Sequence, residues 1–351
     1  MFPYWLLFTL CAAGAVQYRP DARRRVQGGP ILIIIALMIL VMVGLRFEVG
    51  GDWLNYVGIF DDLRYANLSQ AMAAGDPGYS ALNWLALRIG ADIWFVNLIC
   101  AAVFTWGLVR FTRQQPNPWL ALCVAVPYLI IVVAMGYTRQ AVAIGFMLAG
   151  MSEFRDRQSM LRFGCYIIAG ALFHKTAIII LPIVAFAATQ NRWVMIGLGG
   201  ALGLVLYYML LNAGIDTLMT NYVEADYDAQ GAAIRVSMNV LPAIVFLLFQ
   251  RRFGLSEFDR KLWRNFSYAA LAALFLLMVM ESSVVVDRLA LYLIPLQLVV
   301  FSRLPYAFQK EGNPNGLLTI AVIAYSAAVQ FVWLTAATHA DYWLPYKIWF
   351  I

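Results

Sequence analysis

Hydrophobic residues are grouped into long runs that short polar stretches separate. The runs approach the roughly 20 residues that an α-helix needs to cross a bilayer. They predict an all-α, polytopic membrane protein with about twelve transmembrane helices, and about ten to thirteen when the shorter runs are counted differently. The runs lie at about residues 3 to 18, 30 to 46, 92 to 110, 117 to 135, 138 to 152, 160 to 173, 174 to 190, 193 to 212, 236 to 250, 265 to 281, 286 to 302 and 317 to 338.

Two longer polar interruptions lie between these runs, at residues 46 to 77 and 213 to 235. Both are predicted to be loops on the outer side of the membrane. In the first, Trp53, Tyr56 and Phe60 recur at helical spacing, which predicts a short amphipathic helix in the membrane interface. The second is acidic and contains Gly and Ala, which is typical of a mobile loop.

The composition supports a membrane protein and excludes several other classes. Hydrophobic residues make up 63% of the chain, charged residues 13%, and the mean hydropathy is +0.74. So much apolar surface cannot be hidden in one water-soluble core. The four cysteines lie inside apolar runs, without the spacing of a zinc site or a disulfide framework. Since no repeat or low-complexity tail is present, residues 1–351 are predicted to form a single integral-membrane domain.

The net charge of +6 is distributed as in a membrane protein, because the basic residues form short clusters between apolar runs. Such a distribution argues against a nucleic-acid partner. The first run is followed by Arg19 and by Arg23 to Arg25, the reverse of a cleavable signal peptide, so it is expected to be retained with its N-terminus outside. Most other cations then lie in cytoplasmic connections. The exceptions, predicted to be outside, are Arg46, Arg64, Arg88, Arg139, Lys175, Arg235, Arg288 and Lys347.

Four charged clusters are predicted to meet at this outer face. They are Arg46, Glu48 and Asp52; Arg139 and Gln140 of "GYTRQ"; His174 and Lys175 of "FHKTA"; and Glu281, Asp287, Arg288 and Tyr292 of "ESSVVVDRLALY". Each cluster alone also fits snorkelling or local charge pairing. Several fixed cations around a few carboxylates favour a phosphate-bearing ligand, because guanidinium binds phosphate oxygens through two hydrogen bonds. The combination therefore indicates a lipid-linked phosphate or diphosphate.

Two further signals leave alternatives open. His174 fits either a packing residue or, beside Lys175, a neutral base or hydrogen-bond donor. Asp226 and Asp228 form an Asp-x-Asp pair that could hold a divalent metal, although loop acidity explains them better. Neither a metal nor a cofactor is predicted. The sequence has no Gly-rich phosphate loop, Gly-x-Ser-x-Gly elbow or His-Glu-x-x-His motif, which argues against ATP-driven and hydrolase functions.

Five short blocks stand out along the chain, namely "RFEVGGDWLNY", "YTRQAVAIGF", "FHKTAIIILP", "DRLALYLIP" and "WLPYKIW". They resemble blocks of the EpsG family. They occur in the family's order from about residue 30 to the C-terminus. EpsG proteins are bacterial membrane proteins of exopolysaccharide synthesis that are similar to Wzy-type polymerases.

The resemblance implies a polymerase in the bacterial cytoplasmic membrane with a GT-C-like fold and an active site that faces outward. It would move a growing glycan from undecaprenyl diphosphate to the end of another lipid-linked repeat unit. Its partners would be the lipid-linked donor and acceptor and the bilayer, with flippase and chain-length regulator proteins as candidates.

Site roles combine the charge pattern with this resemblance. The proposed diphosphate ligands are Arg46, Arg139, Lys175 and Arg288. Asp52 is the favoured catalytic base, with Glu48 and His174 as alternatives. The proposed substrate-binding residues are Trp53, Tyr56, Gln140, Asp287 and Tyr292.

Other functions remain open at this point. A flippase or transporter of lipid-linked oligosaccharide would also have many spans and buried charge, but its charges should extend through the membrane midplane or to both faces. An O-antigen ligase shares the donor and nearly the same chemistry, and differs only in the acceptor. An acyltransferase is a further alternative.

Overall fold

The computed structural model of the chain divides into two compact units. Unit 1 comprises Met1–Ile178 and Gly312–Ile351, and unit 2 comprises Ile179–Glu311. The residues that the structure describes are 1–19, 29–154, 158–189, 191, 193–194, 197, 199–200, 204, 225–279, 283–309 and 313–350.

Unit 1 is built of helices. They are α1 (Phe2–Gln17), α2 (Gly29–Gly44), α3 (Trp53–Asp62), α4 (Leu68–Ala73), α5 (Pro77–Arg88), α6 (Ile93–Thr112), α7 (Pro118–Ala125), α8 (Thr138–Met151), α9 (Gln158–Ala171) and α15 (Gly316–Ala336). A π-helical segment, Val126–Ala134, extends α7, and all its residues are buried. An isolated antiparallel bridge joins Arg46 and Ile348.

Unit 2 is also helical in its described part. Its helices are α10 (Ile180–Ala188), α11 (Ala225–Phe249), α12 (Glu257–Val279), α13 (Ser283–Ala290) and α14 (Pro295–Ala307). Helix α11 packs against α12, α13 and α14, and α10 packs against α12. A 41° bend separates the apolar pair formed by α13 and α14.

The helices agree with an integral membrane protein. Among the described residues, four helices are long and apolar enough to cross a membrane, namely α6, α11, α12 and α15, and the bent pair α13–α14 makes a fifth. Every predicted hydrophobic run that falls on described residues coincides with a helix, whereas most of 193 to 212 lies outside them. The other apolar helices are shorter, at 10–17 residues. Exposed large apolar side chains on α2, such as Ile31, Ile34 and Leu37, suit contact with lipid.

The first polar interruption forms α3, α4 and α5. The predicted short helix is present as α3, but Trp53, Tyr56 and Phe60 are buried against Tyr79 and other core residues. Its aromatic stripe therefore packs on protein, because α5 and α6 offer an apolar surface that covers it. The second predicted loop, residues 213 to 235, is helical from Ala225 onward, in a stretch whose several alanines favour helix. Residues 213 to 224 lie outside the described part.

Helices α8 and α9 form an antiparallel hairpin through small residues. A Cβ on Gly170 would lie 3.3 Å from the Cα of Ala143, and a Cβ on Gly150 would lie 2.8 Å from the ring of Phe163. The two contacts define the register, since the earlier residue of α8 meets the later residue of α9. Continued along the hairpin, this register brings the start of α8 to the residues that follow α9.

The C-terminal segment, residues 339–350, is hydrogen-bonded to the loop that follows α2. The indole N–H of Trp343 donates to the carbonyl of Ile131 in the π-helical segment, at 2.8 Å. The Tyr4 hydroxyl donates to the Trp343 carbonyl at 2.8 Å, and the backbone N–H of Trp349 donates to the Leu45 carbonyl at 2.7 Å. These bonds hold the segment against the loop that carries Arg46.

Candidate functional site

The candidate site forms where α5 begins beside the end of α9. Pro77 and Gly78 open α5, and the N–H of Gly78 donates to the carbonyl of Leu172 at 2.7 Å. A Cβ at residue 78 would lie 3.0 Å from Leu172, so glycine permits this close approach. The contact brings Asp76, the N-cap residue of α5, to His174 and Lys175.

Asp76 connects three separate parts of unit 1. Its Oδ2 accepts a hydrogen bond from Nη1 of Arg139 at 2.9 Å. Its Oδ1 accepts from the backbone N–H of Lys175 at 3.4 Å, and Nδ1 of His174 lies 3.7 Å from Oδ2. The carboxylate does not cap its own helix, although an N-cap aspartate commonly does. Tertiary contacts therefore orient this side chain.

Two aromatic rings support Arg139. Its Cζ lies 5.9 Å from the ring centre of Tyr56 and 6.0 Å from that of Tyr79, within the range of cation–π attraction. The side chain is 33% exposed, while its buried Nε has no hydrogen-bond partner within the described chain. The exposed part of this guanidinium can bind an anionic ligand.

Opposing influences act on the ionisation of Asp76. Burial by itself raises the pKa of this carboxyl group. The neighbouring His174, Arg139 and backbone N–H of Lys175 outweigh burial and hold the pKa below its ordinary value. Asp76 is therefore a carboxylate at neutral pH, and it partly neutralises the cations around it.

Arg46 is enclosed by protein, in contrast to Arg139. Its side chain is fully buried, and the guanidinium donates to the carbonyls of Val43 and Val49 and to the hydroxyl of Thr138, at 2.5, 3.1 and 2.7 Å. Nη2 also lies 3.4 Å from Oδ1 of Asn97. This differs from the expected contact with a diphosphate, because the donors are already engaged. Arg46 instead holds Thr138, the first residue of α8, immediately before Arg139.

The two predicted carboxylate bases on this loop have different surroundings. Asp52 is the N-cap residue of α3 and is half-buried. It precedes Tyr56 by one helical turn, and the Tyr56 ring lies beneath Arg139. Glu48 is 49% exposed and pairs with Lys347 of the C-terminal segment. Asp52 is thus one helical turn from a ring that contacts Arg139.

The predicted substrate-binding residues of unit 1 are buried. Trp53 and Tyr56 are 7% and 3% exposed, and Cζ of Arg46 lies 5.9 Å from the Trp53 ring centre. Gln140 is 2% exposed. The Trp53 ring contacts the Arg46 guanidinium and the Tyr56 ring contacts the Arg139 guanidinium. Sugar binding was expected to use these two ring faces.

The last predicted cluster belongs to unit 2 and has its own arrangement. Nε and Nη2 of Arg235 donate to the two carboxylate oxygens of Asp287, at 2.8 and 2.9 Å. Arg288 is half-buried, and Tyr292 is fully buried. Asp287 is therefore held by an arginine from another helix, and this pairing was not predicted from the sequence.

Sequence reasoning also missed Asp76 and Tyr79. The available signal was "DPG", an aspartate at a helix start followed by Pro at the first helical position. Glu281 and the side chains of Asp226 and Asp228 lie outside the described part of the structure.

Comparison with known proteins places the chain in a family. The model of the EpsG family matches residues 31–348. No curated protein and no solved structure gives a significant match. The match covers the α2 loop, the α8–α9 hairpin, the cluster around Asp76 and the C-terminal segment, so the chain belongs to the EpsG family.

Proposed function

We propose that this protein polymerises polysaccharide by transferring a glycan from a polyprenyl-diphosphate carrier to the end of another lipid-linked repeat unit. The carrier is proposed to be undecaprenyl diphosphate, with the reaction at the outer face of the bacterial cytoplasmic membrane. The single observation that supports this proposal best is the meeting of Arg139, His174 and Lys175 around Asp76. Membership of the EpsG family supports the same function.

The transfer requires cations at the departing diphosphate. Breaking the bond between sugar C1 and the phosphate oxygen builds negative charge on the departing diphosphate, and preorganised cations stabilise that charge. Arg139 is suited to this role, because its guanidinium is partly exposed and can bind phosphate oxygens through two hydrogen bonds. Lys175 is exposed and adjacent to His174. Arg288 is proposed as a further diphosphate ligand on the strength of the sequence alone.

The attacking hydroxyl must lose its proton during the transfer. Asp52, Glu48 and His174 are the candidate general bases. Glu48 is already paired with Lys347, which favours the other two. Arg46 is proposed to act indirectly, by fixing Thr138 and thus the start of α8.

The membrane arrangement completes the proposal. The shorter apolar helices, of 10–17 residues, are proposed to be embedded with the longer ones. They would bring the total to about twelve spans in a GT-C-like fold, with residues 46 to 77 on the outer side. The lengths are compatible with this arrangement where neighbouring protein satisfies the helix ends.

Deletion of the gene, followed by sizing of the lipid-linked glycans, tests this function. The proposal expects single repeat units to accumulate on lipid at the outer leaflet. Accumulation at the inner leaflet would instead indicate a flippase. Lipid-linked polymer of wild-type length that is not transferred to a final acceptor would indicate a ligase.

Purified variants test the proposed residues. Asp52→Asn is expected to abolish chain extension if Asp52 is the base, and Arg288→Ala if Arg288 binds the diphosphate, with the protein folded in each case. The matched control is Arg64→Ala, because Arg64 is exposed and pairs only locally with Asp61 in the described structure. Chain extension near the normal rate in both site variants would remove these two assignments.

A further inference from the structure

We infer that Asp76 positions His174 as the general base of the glycosyl transfer. The inference rests on the proposed function and adds a residue that sequence reasoning did not identify. It assigns the catalytic role to His174, which contacts the acceptor hydroxyl. Asp76 acts through the imidazole as a positioning residue.

The orientation of the Asp76 carboxylate carries the inference. Asp76 is an N-cap residue whose side chain makes no capping hydrogen bond. Its side chain is only 9% exposed and instead faces Arg139, the backbone N–H of Lys175 and the His174 ring. Because the carboxylate does not cap the helix, both of its oxygens can bind groups of the site.

The His174 ring supplies the second observation. Its Nδ1 is buried and has no hydrogen-bond partner in the described part of the chain, yet it lies 3.7 Å from Oδ2 of Asp76. Catalytic hydrogen bonds commonly shorten when the substrate binds. A carboxylate at this distance favours a proton on Nδ1, which leaves the lone pair on Nε2. His174 is then held in the tautomer that can accept a proton.

The chemical step follows directly. The acceptor oxygen forms a bond to sugar C1 as its own O–H bond breaks, and Nε2 of His174 takes the proton. The bond between C1 and the diphosphate oxygen breaks, and its electron pair leaves with the diphosphate. Arg139 and Lys175 stabilise the charge on that leaving group. No further reactant is needed, and the proton on His174 passes to solvent afterwards.

The same carboxylate links the base to the leaving-group site. Asp76 binds Arg139 at 2.9 Å while its other oxygen faces the backbone of Lys175. One side chain therefore fixes the relative positions of the base and of the cations. This geometry explains why a buried carboxylate is present in a site that is proposed to bind an anion.

Histidine tautomers can be read directly, because the chain has only two histidines, His174 and His339. We would label the full-length protein with ¹⁵N-histidine in detergent and record ring nitrogen shifts in a His339→Gln background, so that the remaining signals belong to His174. The expected result is a proton on Nδ1, with loss of that preference in Asp76→Asn. The matched control, Asp61→Asn, should leave the spectrum unchanged. Identical His174 spectra with and without Asp76→Asn would overturn the inference.

Kinetics of chain extension give the second readout. Asp76→Asn is expected to lower kcat by about 100-fold or more with a much smaller change in KM, in the range of lost acid–base catalysis. Asp76→Glu should recover part of the rate. Because Asp76 acts through His174 as well as on Arg139, the loss caused by Asp76→Asn should be clearly smaller in a His174→Gln background than in the wild-type background. Equal losses in both backgrounds would overturn the positioning role.

The two readouts separate this inference from the proposed function. If the wild-type protein extends chains but Asp76→Asn leaves the His174 spectrum unchanged, the role of Asp76 is contradicted and the proposed function is not. If the folded wild-type protein extends no lipid-linked chain but Asp76→Asn changes the His174 spectrum, the proposed function is contradicted.

Discussion

The guanidinium of Arg139 and the carboxylate of Asp76 are 2.9 Å apart, although 63 residues separate them in the chain. Helix α8 supplies the arginine, and the start of α5 supplies the carboxylate. The contact exists because Gly78 lets α5 approach Leu172. This relationship organises the candidate site, which several separate contacts of the surrounding helices and loops hold in place.

Arg46 should be essential for folding. Arg46→Ala leaves the carbonyls of Val43 and Val49 and the Thr138 hydroxyl without their donor, in a fully buried place. Each unsatisfied group costs about 1 to 3 kcal/mol, so the loss of the donor to three groups should lower the free energy of unfolding by at least about 3 kcal/mol. Thermal unfolding in detergent measures the loss.

The matched control for this variant is Arg64→Ala. Arg64 pairs with Asp61 at the surface, with both side chains 53% exposed. Such pairs contribute about 0 to 1 kcal/mol. Equal stability of the Arg46 and Arg64 variants would mean that the buried network does not hold the α2 loop.

The contribution of Asp76 to stability should depend on pH in a defined direction. Its folded pKa is below the ordinary 3.8, so its stabilising contribution is complete above that pH. The contribution is lost as the pH falls through the folded pKa. The difference in stability between the normal protein and Asp76→Asn should therefore be constant near neutral pH and shrink in acid. Denaturant unfolding across this pH range tests the sign, and a difference that widens in acid would contradict it.

The Arg235–Asp287 pair should stabilise unit 2. Both side chains are largely buried, at 14% and 6% exposure, so removal of Asp287 takes a close counter-charge away from a buried guanidinium. Asp287→Asn is expected to cost about 3 to 5 kcal/mol. Lys261→Gln, which breaks an exposed pair with Glu257, should cost less than about 1 kcal/mol. Similar losses in the two variants would argue against a structural role of the buried pair.

Trp343 should hold the C-terminal segment in place. Trp343→Phe keeps most of the packing but loses the indole hydrogen bond to Ile131, which is expected to cost about 1 kcal/mol. Trp343→Ala also leaves a cavity beside Trp333, and we expect a loss of about 3 to 5 kcal/mol. Limited proteolysis should cut near the C-terminus faster in the alanine variant, and unchanged cutting would exclude this anchoring role.

The sequence was sufficient to predict an all-helical membrane protein, and it predicted that Arg139 and His174 lie at the same ends of their helices. The short connection between α8 and α9 dictates an antiparallel hairpin, so Arg139 and His174 had to lie at the same end. The location of Asp76 could not be predicted, because it depends on the tertiary contact between Gly78 and Leu172. Nor could the burial of Arg46 be foreseen. An arginine at the end of an apolar run can snorkel or turn inward, and only the positions of Val43, Val49 and Thr138 decide between these.

The most direct test of the central claim is chain extension by purified protein in vesicles that contain polyprenyl-diphosphate-linked repeat units. Normal protein and Arg64→Ala should convert single units into long glycans, and Arg139→Ala should be slower by about 100-fold or more while it remains folded. Folded Arg139→Ala that extends glycans as fast as the normal protein would contradict the claim that this arginine binds the leaving diphosphate.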